Sequence, residues 1–380
     1  MLKTRKSKFL LMATALGLCG FPACPVGVPS PGVPCNTLLV PKEATQSIKI
    51  MSANVGNSYK GIPGSSSYRS SYLYALRSEF RVYEDTLSEN IARNKPDVIA
   101  LQEVMSPLIC DIGFESDPRK ACYPDTPPSF SAARILGPDY SVVCDENRSI
   151  ECIGVRNDFG QIQNPRQKSK HADHFEVYSD WLPQGFQYAY GGAVTASLGG
   201  DTCSWLDGGC TNDHSCDDES TVSAITVKQV NGEILRVVHV HPSAGKANAC
   251  RKKQVKQGFE LAKGFLRSVI LGDWNFVPGG FSQPEVSAEF FEHVGLDREF
   301  VNHGACVDGV RWPTTATGLA LDTVVSNFLS GSCVVLDSDG PGDFKRLDEG
   351  FTTEGFTAKE VAALESQRMD HSALSCLLYY

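Results

Sequence analysis

Val269-Ile270-Leu271-Gly272-Asp273-Trp274-Asn275 is the stretch from which the fold of this chain is read. Three apolar residues, two of them β-branched, make a short buried strand; Gly272 interrupts it, and a carboxylate and an amide follow. A second string, Asp370-His371, precedes the apolar run Ala373 to Tyr379. The same pattern recurs upstream. Ile48-Lys49-Ile50-Met51-Ser52-Ala53 ends in Asn54, Val98-Ile99-Ala100-Leu101 delivers Gln102 and Glu103, and Ile234 to His241 ends in an imidazole. Polar side chains at the ends of several strands are placed to converge on one cleft.

The residue types in this set suit one chemistry. Carboxylates, amides and imidazoles brought together serve metal-assisted attack on a phosphate ester, a bond so inert that enzymes accelerate its cleavage by up to ~10²¹-fold. A carboxylate such as Glu103 behind an apolar strand is costly without a partner, and a cation with a taste for oxygen, Mg²⁺ or Ca²⁺, is one. His241 is the acid–base candidate, since imidazole titrates near neutral pH and such help is worth ~10²–10⁴-fold. His239 and His241 alternate on one strand face. A zinc pair is the competing reading, but no third ligand follows at short spacing, and a satisfied structural His is common. Asp273 and Asn275 lie two apart, which on an extended segment aims both at one cleft. Asp322 enters the apolar strand Leu321 to Val325 and needs a partner; His371 is the natural one, and such a contact orients the ring. Each residue also has a plain reading: Asn54 as a strand-end cap, Asp273 as a turn, Asp370-His371 as a surface pair.

The intervening sequence fits one domain. Phe80, Tyr83, Leu87 and Ile91 recur at helical spacing before Lys95-Pro96 stops the helix. Residues 139–144 and 151–156 read as a hairpin. Residues 193–198, 222–227, 234–241, 321–325 and 373–379 read as strands, and Arg251 to Leu266 as a basic helix. No linker interrupts the chain after Ile48. Many strands and few helices imply two packed sheets with outer helices, spanning residues 46–380.

The N-terminus reads as an export signal over residues 1–23: Lys3, Arg5, Lys6 and Lys8, then an apolar run from Phe9 to Leu18 that is short for a membrane span. Residues 24–45 include a Pro/Gly-rich spacer. Of 14 Cys, twelve lie beyond the signal region, an even set that fits disulfides in an oxidising compartment. Cys144 and Cys152 flank a polar turn and are expected to staple a hairpin; Cys110 and Cys122 are placed to close a loop. The expected location is extracytoplasmic, either secreted or lipid-anchored through Cys24. Hydrophobic residues at 42% support a packed core. The net charge of −9 becomes −13 when the four basic residues of the signal are lost, which excludes long-range attraction of polyanions by overall charge. Arg251, Lys252, Lys253 and Lys256 offer a local basic patch, or a solvated helix face. Residues 201–219 read as an acidic, disulfide-stapled loop, with a calcium loop or zinc knuckle as the alternative. Trp181 to Phe186 reads as core, or as an exposed apolar turn touching membrane.

The ordered strings SANVGN, ALQEV, VVHVHPSAG, ILGDWN, ALDTVV and MDHS, from Ile48 to Tyr379, resemble the endonuclease/exonuclease/phosphatase superfamily. WPTTATGLALDTVV and His241-Pro242-Ser243-Ala244 are similar to its secreted deoxyribonuclease I-like branch. The resemblance implies an α+β fold, a four-layer α/β/β/α sandwich of two packed mixed sheets flanked by helices. It implies Glu103 as chief Mg²⁺ ligand (Mn²⁺ or Ca²⁺ in its place), with Asn54 and Asp370 nearby. It implies an acid–base pair of Asp322 and His371, and Asp273 and Asn275 positioning the attacking water and the phosphate. His241 would act at the leaving group, oriented by Glu151. The expected partner is nucleic acid, DNA above all, or phospholipid, with no obligate protein partner. A sphingomyelinase or phosphatase on the same scaffold is the alternative enzyme; a binding module that lost turnover is the alternative non-enzyme. Gly56, where many members carry an acid two residues after the Asn, is the departure that favours the last. The calcineurin-like phosphoesterases are set aside because their early Asp-x-His and Gly-Asn-His strings are missing.

Overall fold

The computed structural model describes residues 46–55, 79–105, 131–144, 149–163, 221–243, 248–280, 282–295, 297–307, 310–311, 314–315, 319–328, 330–336 and 371–380. The expected signal (1–23), linker (24–45), apolar turn at Trp181, strand at 193–198 and acidic loop at 201–219, and Gly56, Cys110, Cys122 and Asp370, lie outside these residues. Cystine pairing for most of the twelve cysteines lies outside them too.

Eight strands form the frame of the site. They are β1 (Ser47–Asn54), β2 (Val98–Met105), β3 (Tyr140–Cys144), β4 (Ser149–Arg156), β5 (Gly160–Ile162), β6 (Thr221–Gln229), β7 (Ile234–His241) and β8 (Ser268–Asp273). The short β9 (Val301–Asn302), β10 (Cys306–Val307) and β11 (Val310–Arg311) precede β12 (Asp322–Ser326), β13 (Ser330–Val335) and β14 (Leu374–Tyr379). The helices are α1 (Glu79–Asn94), α2 (Ser131–Leu136), α3 (Asn248–Ala262) and α4 (Pro284–His293).

Two six-stranded mixed sheets result, in the orders β13-β14-β1-β2-β4-β3 and β5-β6-β7-β8-β12-β9. Each has one parallel pair at its centre, β1 with β2 and β7 with β8, and antiparallel neighbours on both sides. Central strands are buried on both faces, so they read as near-continuous apolar runs rather than clean alternation. Period 2 still sorts their side chains. Ile48, Ile50, Val98, Ala100, Ile153 and Val155 of the first sheet meet Leu235, Val237, Val269, Leu271 and Val324 of the second in the core between the sheets. The opposite faces bury against helices. Met51, Ala53, Ile99 and Leu101 take Leu87 and Ile91 of α1 and Ala132, Ala133, Ile135 and Leu136 of α2. Val238, Val240 and Ile270 take Val255 and Phe259 of α3 and Val286 and Phe290 of α4. The layers are therefore α/β/β/α, the four-layer sandwich expected from the sequence.

Local chemistry sets the element ends. Before Pro96, Lys95 turns to φ 46° while its N–H still reaches Ile91 O at 2.7 Å, which closes α1. Pro284 opens α4, where its missing N–H costs nothing. The expected Cys144–Cys152 staple is present, joining facing residues of β3 and β4. A second bridge, Cys333–Cys376, joins facing residues of β13 and β14, and Cys250 is disulfide-bonded as well. Among the described residues no helix is long and apolar enough to cross a membrane.

Candidate active site

The inner face of the sandwich turns polar at one end. Along β1 the inward positions run Ile48, Ile50, Ser52, Asn54; along β7 they run Leu235, Val237, His239, His241; along β8 they run Val269, Leu271, Asp273. Both parallel pairs end at the same end, so Asn54, Gln102, His241 and Asp273 leave the strands together. Antiparallel β12 begins there, with Asp322 opposite Asp273. Glu151, on the inward face of β4, completes the ring.

Two imidazole–carboxylate pairs span the gap between sheets, in opposite senses. His241 of the second sheet holds Glu151 of the first, Nδ1 to Oε1 at 2.6 Å. His371, just before β14 of the first sheet, holds Asp322 of the second, Nδ1 to Oδ2 at 2.8 Å. The Nε2 edges of both rings face one atom: Asp273 Oδ2 lies 3.4 Å from His371 Nε2 and 4.0 Å from His241 Nε2. Asn54 Nδ2 donates to the same oxygen at 3.1 Å. The other oxygen, Oδ1, accepts the Asn275 N–H at 2.8 Å.

The turn after β8 is built for this. Gly272 passes so close to β7 that a Cβ there would lie 1.9 Å from Val240 O, and its φ is 145°. Trp274 buries its indole among Phe259, Phe276 and Phe290 and donates Nε1–H to Thr323 O at 3.1 Å, anchoring the turn. The extended path expected through Asn275 does not occur: Asn275 adopts φ 53°, a conformation asparagine tolerates, and its Nδ2 donates to Pro242 O at 2.9 Å. The amide thereby ties the β8 turn to the segment after His241. That segment is held from its other side by α3, where Arg251 Nε donates to Ser243 O at 2.6 Å and Gln254 Oε1 accepts the Ser243 N–H at 2.8 Å. Arg251 is fully buried and so leaves the proposed basic patch. Lys252 and Lys256 remain exposed, near the carboxylates of Glu289 and Glu260 respectively.

Glu103 also sits at positive φ, 53°, where the β2–β4 register shifts between Leu101 and Val104. The bulge turns its backbone N–H to the Glu151 carboxylate, while its Oε1 lies 3.7 Å from His241 Nε2. Its side chain keeps 20% exposure, against 0%, 2% and 0% for Glu151, Asp273 and Asp322. Glu103 is therefore the carboxylate an ion from solvent reaches first. Asn54 stands on the neighbouring strand, in register with Gln102.

Burial alone would push the His241 imidazolium down; Glu151, Asp273 and Glu103 overcome it and push it up to about 10. Burial tends to raise Asp273, but the two imidazoles and its hydrogen bonds from Asn275 and Asn54 hold it below the usual carboxylate range. Burial raises Glu151 and Asp322 despite their imidazole partners. Four carboxylates thus face two imidazoles, an excess of negative charge even with both rings protonated. Hard oxygen donors with such an excess fit Mg²⁺, Mn²⁺ or Ca²⁺ rather than a thiophilic ion.

Asn54, Glu103, Glu151, His241, Asp273, Asn275, Asp322 and His371 all meet here. Sequence reasoning missed Thr314, whose Oγ1 accepts the N–H groups of Leu321 and Asp322 at 3.1 and 3.0 Å and hydrogen-bonds the Asp322 carboxylate. Its carbonyl takes the Ser372 N–H at 2.8 Å, and Thr315 bridges to His371, so this threonine pair sets the spacing of the Asp322–His371 contact. Sequence reasoning named Gln102 without a role, and it weighed His239 as a satisfied structural ring against a zinc ligand. Gln102 Nε2 lies 2.8 Å from His239 Nε2, which commits that ring to an amide rather than to zinc.

No family model matches the sequence, and no curated protein matches it. Solved structures do. TDP2 from D. rerio, humanized by 14 mutations, matches over 87% of this chain and 98% of its own at 12% identity and a TM-score of 0.46. Beta toxin from Staphylococcus aureus matches over 87% and 99% at 10% identity and 0.45. An endonuclease/exonuclease/phosphatase family protein from Bacteroides thetaiotaomicron matches over 88% and 95% at 12% identity and 0.43.

Proposed function

We propose that the chain is an exported, divalent-metal-dependent phosphodiesterase, a deoxyribonuclease I-like endonuclease, with residues 1–23 as signal, 24–45 as linker and 46–380 as catalytic domain. One observation carries the hydrolase reading: two oriented imidazoles aimed at a single carboxylate oxygen, at 3.4 and 4.0 Å, beside the more open Glu103. Each ring is fixed at Nδ1, so Nε2 is the atom left to exchange protons.

Glu103 and Asn54, with Asp370, would hold the ion, which supplies positive charge to the phosphoryl oxygens as they gain negative charge. The chain's own residues do the rest. Asp273, held by Asn54 and Asn275, and His371, aligned by Asp322, orient the attacking water and take its proton as oxygen bonds to phosphorus. His241 is protonated at neutral pH because of its carboxylates, and its Nε2 gives that proton to the leaving oxygen as the P–O bond breaks. Restricting proton donor and acceptor to opposite rings suits in-line displacement. DNA is the substrate favoured by the resemblance of WPTTATGLALDTVV to the secreted deoxyribonuclease I-like branch.

The test is hydrolysis by the purified chain of supercoiled plasmid DNA, sphingomyelin vesicles and a small aryl phosphodiester, each with and without EDTA. Nicked plasmid that disappears in EDTA is expected. Hydrolysis of sphingomyelin alone would replace DNA with a lipid substrate. Absence of EDTA-sensitive turnover on all three would remove the enzyme reading.

A further inference from the structure

A second group of metal-ligating side chains lies on the outer helical layer, apart from the inner face that carries the proposed chemistry. Glu289, Glu292 and His293 stand at i, i+3 and i+4 of α4 and so share one face of its C-terminal half. Each offers one ligand atom, and the three atoms all lie within 4.8 Å of one another. Glu289 is 7% exposed, yet among the described residues neither of its carboxylate oxygens accepts a hydrogen bond. Its Oε1 lies 3.6 Å from His293 Nε2 and its Oε2 lies 3.7 Å from Lys252 Nζ, both beyond hydrogen-bond reach. That Nε2 is itself buried and has no hydrogen-bond partner among the described residues. A buried carboxylate and a buried ring nitrogen are costly in this state, and here they face each other.

The spacing says what would satisfy both. Two donors ~2.0–2.1 Å from one ion at the tetrahedral angle stand about 3.4 Å apart, close to the 3.6 Å between Glu289 and His293. The ring is already held in place: His293 stacks on Phe259 of α3, with centroids 4.5 Å apart and planes at 20°. Glu292 is exposed, so its carboxylate can swing the remaining distance. The helix adds an independent reason. Glu292 puts a negative charge in the last turn of α4, where the macrodipole disfavours it and a cation is favoured. Lys252 answers part of the charge on Glu289, but it reaches across from α3 and its side chain is 49% exposed. We propose that Glu289, Glu292 and His293 form a divalent transition-metal site, with Zn²⁺ the fitting ion and water completing its coordination. One imidazole with two carboxylates suits Zn²⁺ over Mg²⁺ or Ca²⁺, which take oxygen donors. By fixing the ring that stacks on Phe259, the ion braces α4 against α3, and it does so whether or not the chain hydrolyses phosphodiesters.

The test uses the disulfide-bonded full chain, stripped with EDTA and then dialysed against Zn²⁺ up to about 0.1 mM in excess Mg²⁺, which fills oxygen-donor sites and competes poorly for imidazole. Bound zinc is counted per chain by atomic absorption, and thermal melts are recorded with and without Zn²⁺. Wild type should hold one zinc more than Glu289→Gln or His293→Asn, and should melt at a higher temperature when loaded. Glu292→Gln alters an exposed side chain and leaves the fold intact; it should weaken the same ion by at least about tenfold. Glu103→Gln should leave that ion in place, which separates it from any metal at the catalytic centre. The proposal is overturned if wild type retains no zinc, if Glu292→Gln leaves the zinc affinity unchanged, or if the ion survives the α4 substitutions and is lost with Glu103→Gln. The zinc count decides the site even if the chain hydrolyses none of the phosphodiesters.

Discussion

Asp322→Asn separates catalysis from stability more cleanly than any other change at this site. The substitution keeps shape and one oxygen but removes the charge that faces His371 Nδ1 at 2.8 Å. Two effects on turnover follow. An amide NH₂ turned toward the ring would place the imidazole proton on Nε2, the atom that must accept one, and the protonated ring loses its counter-charge. A carboxylate-to-amide change beside a catalytic imidazole has cost ~10⁴-fold in a serine protease, the best available measure of a wrong tautomer. At about 1.4 kcal/mol per decade, a fall of ~10²–10⁴-fold corresponds to about 3–5 kcal/mol of lost transition-state stabilisation. Stability should move the other way. Asp322 is buried, and burial raises its pKa despite His371. A folded pKa above the unfolded one means that the ionised group opposes folding at neutral pH, so a neutral isostere is tolerated or favoured. Plasmid nicking in Mg²⁺, measured beside a urea melt at pH 7.5, is the assay. Nicking within threefold of wild type, or loss of nicking in step with loss of folding, would refute the pairing of Asp322 with His371 as a working unit.

Three further outcomes are expected. Chelation with EDTA should abolish turnover, and Glu103→Gln should raise the Mg²⁺ needed for half-maximal rate by at least about tenfold, read from a metal titration, because Glu103 is the most open carboxylate. The urea midpoint should fall as pH drops from about 6.5 to 4: burial pushes His303 down to about 4, so the unfolded chain takes up a proton there that the folded one refuses, at a cost of up to about 3 kcal/mol that His303→Asn should remove. Replacing the Cys333–Cys376 pair with serine should destabilise by about 4 kcal/mol, against about 2.5 for Cys144–Cys152, because the closed loops span 43 and 8 residues; thermal melts of the two double variants give the order.

Much of the site was legible because strand ends announce themselves. An apolar run that stops at Asp273 or His241 fixes both the strand and the end at which its polar residue emerges. Glu151 was harder. It precedes Cys152 in a strand whose neighbour, β2, is remote in sequence, so nothing local says which imidazole it meets. Arg251 read as part of a solvated helix face or a phosphate-binding patch because a helix of basic residues has no sequence mark for the turn that faces inward. Its burial comes from the Ser243 carbonyl, which only the folded chain brings near. The bend at Asn275 was equally hidden, although asparagine after a Gly-Asp turn is a residue suited to positive φ. Gln102 and His239 carried a usable signal: both share the parity of inward apolar neighbours, and a polar residue in such a series must have a partner.

The position of β14 has a consequence for synthesis. It is an interior strand, paired with β13 on one side and with β1 on the other, where Leu374 lies opposite Ser52. Until Leu374–Tyr379 has emerged, the first sheet has an empty slot, two raw edges and no His371 beside Asp273. On the proposed function, a chain still lacking β14 is inert rather than weakly active. On that reading, activity begins only when Leu374–Tyr379 pairs with Ser47–Asn54.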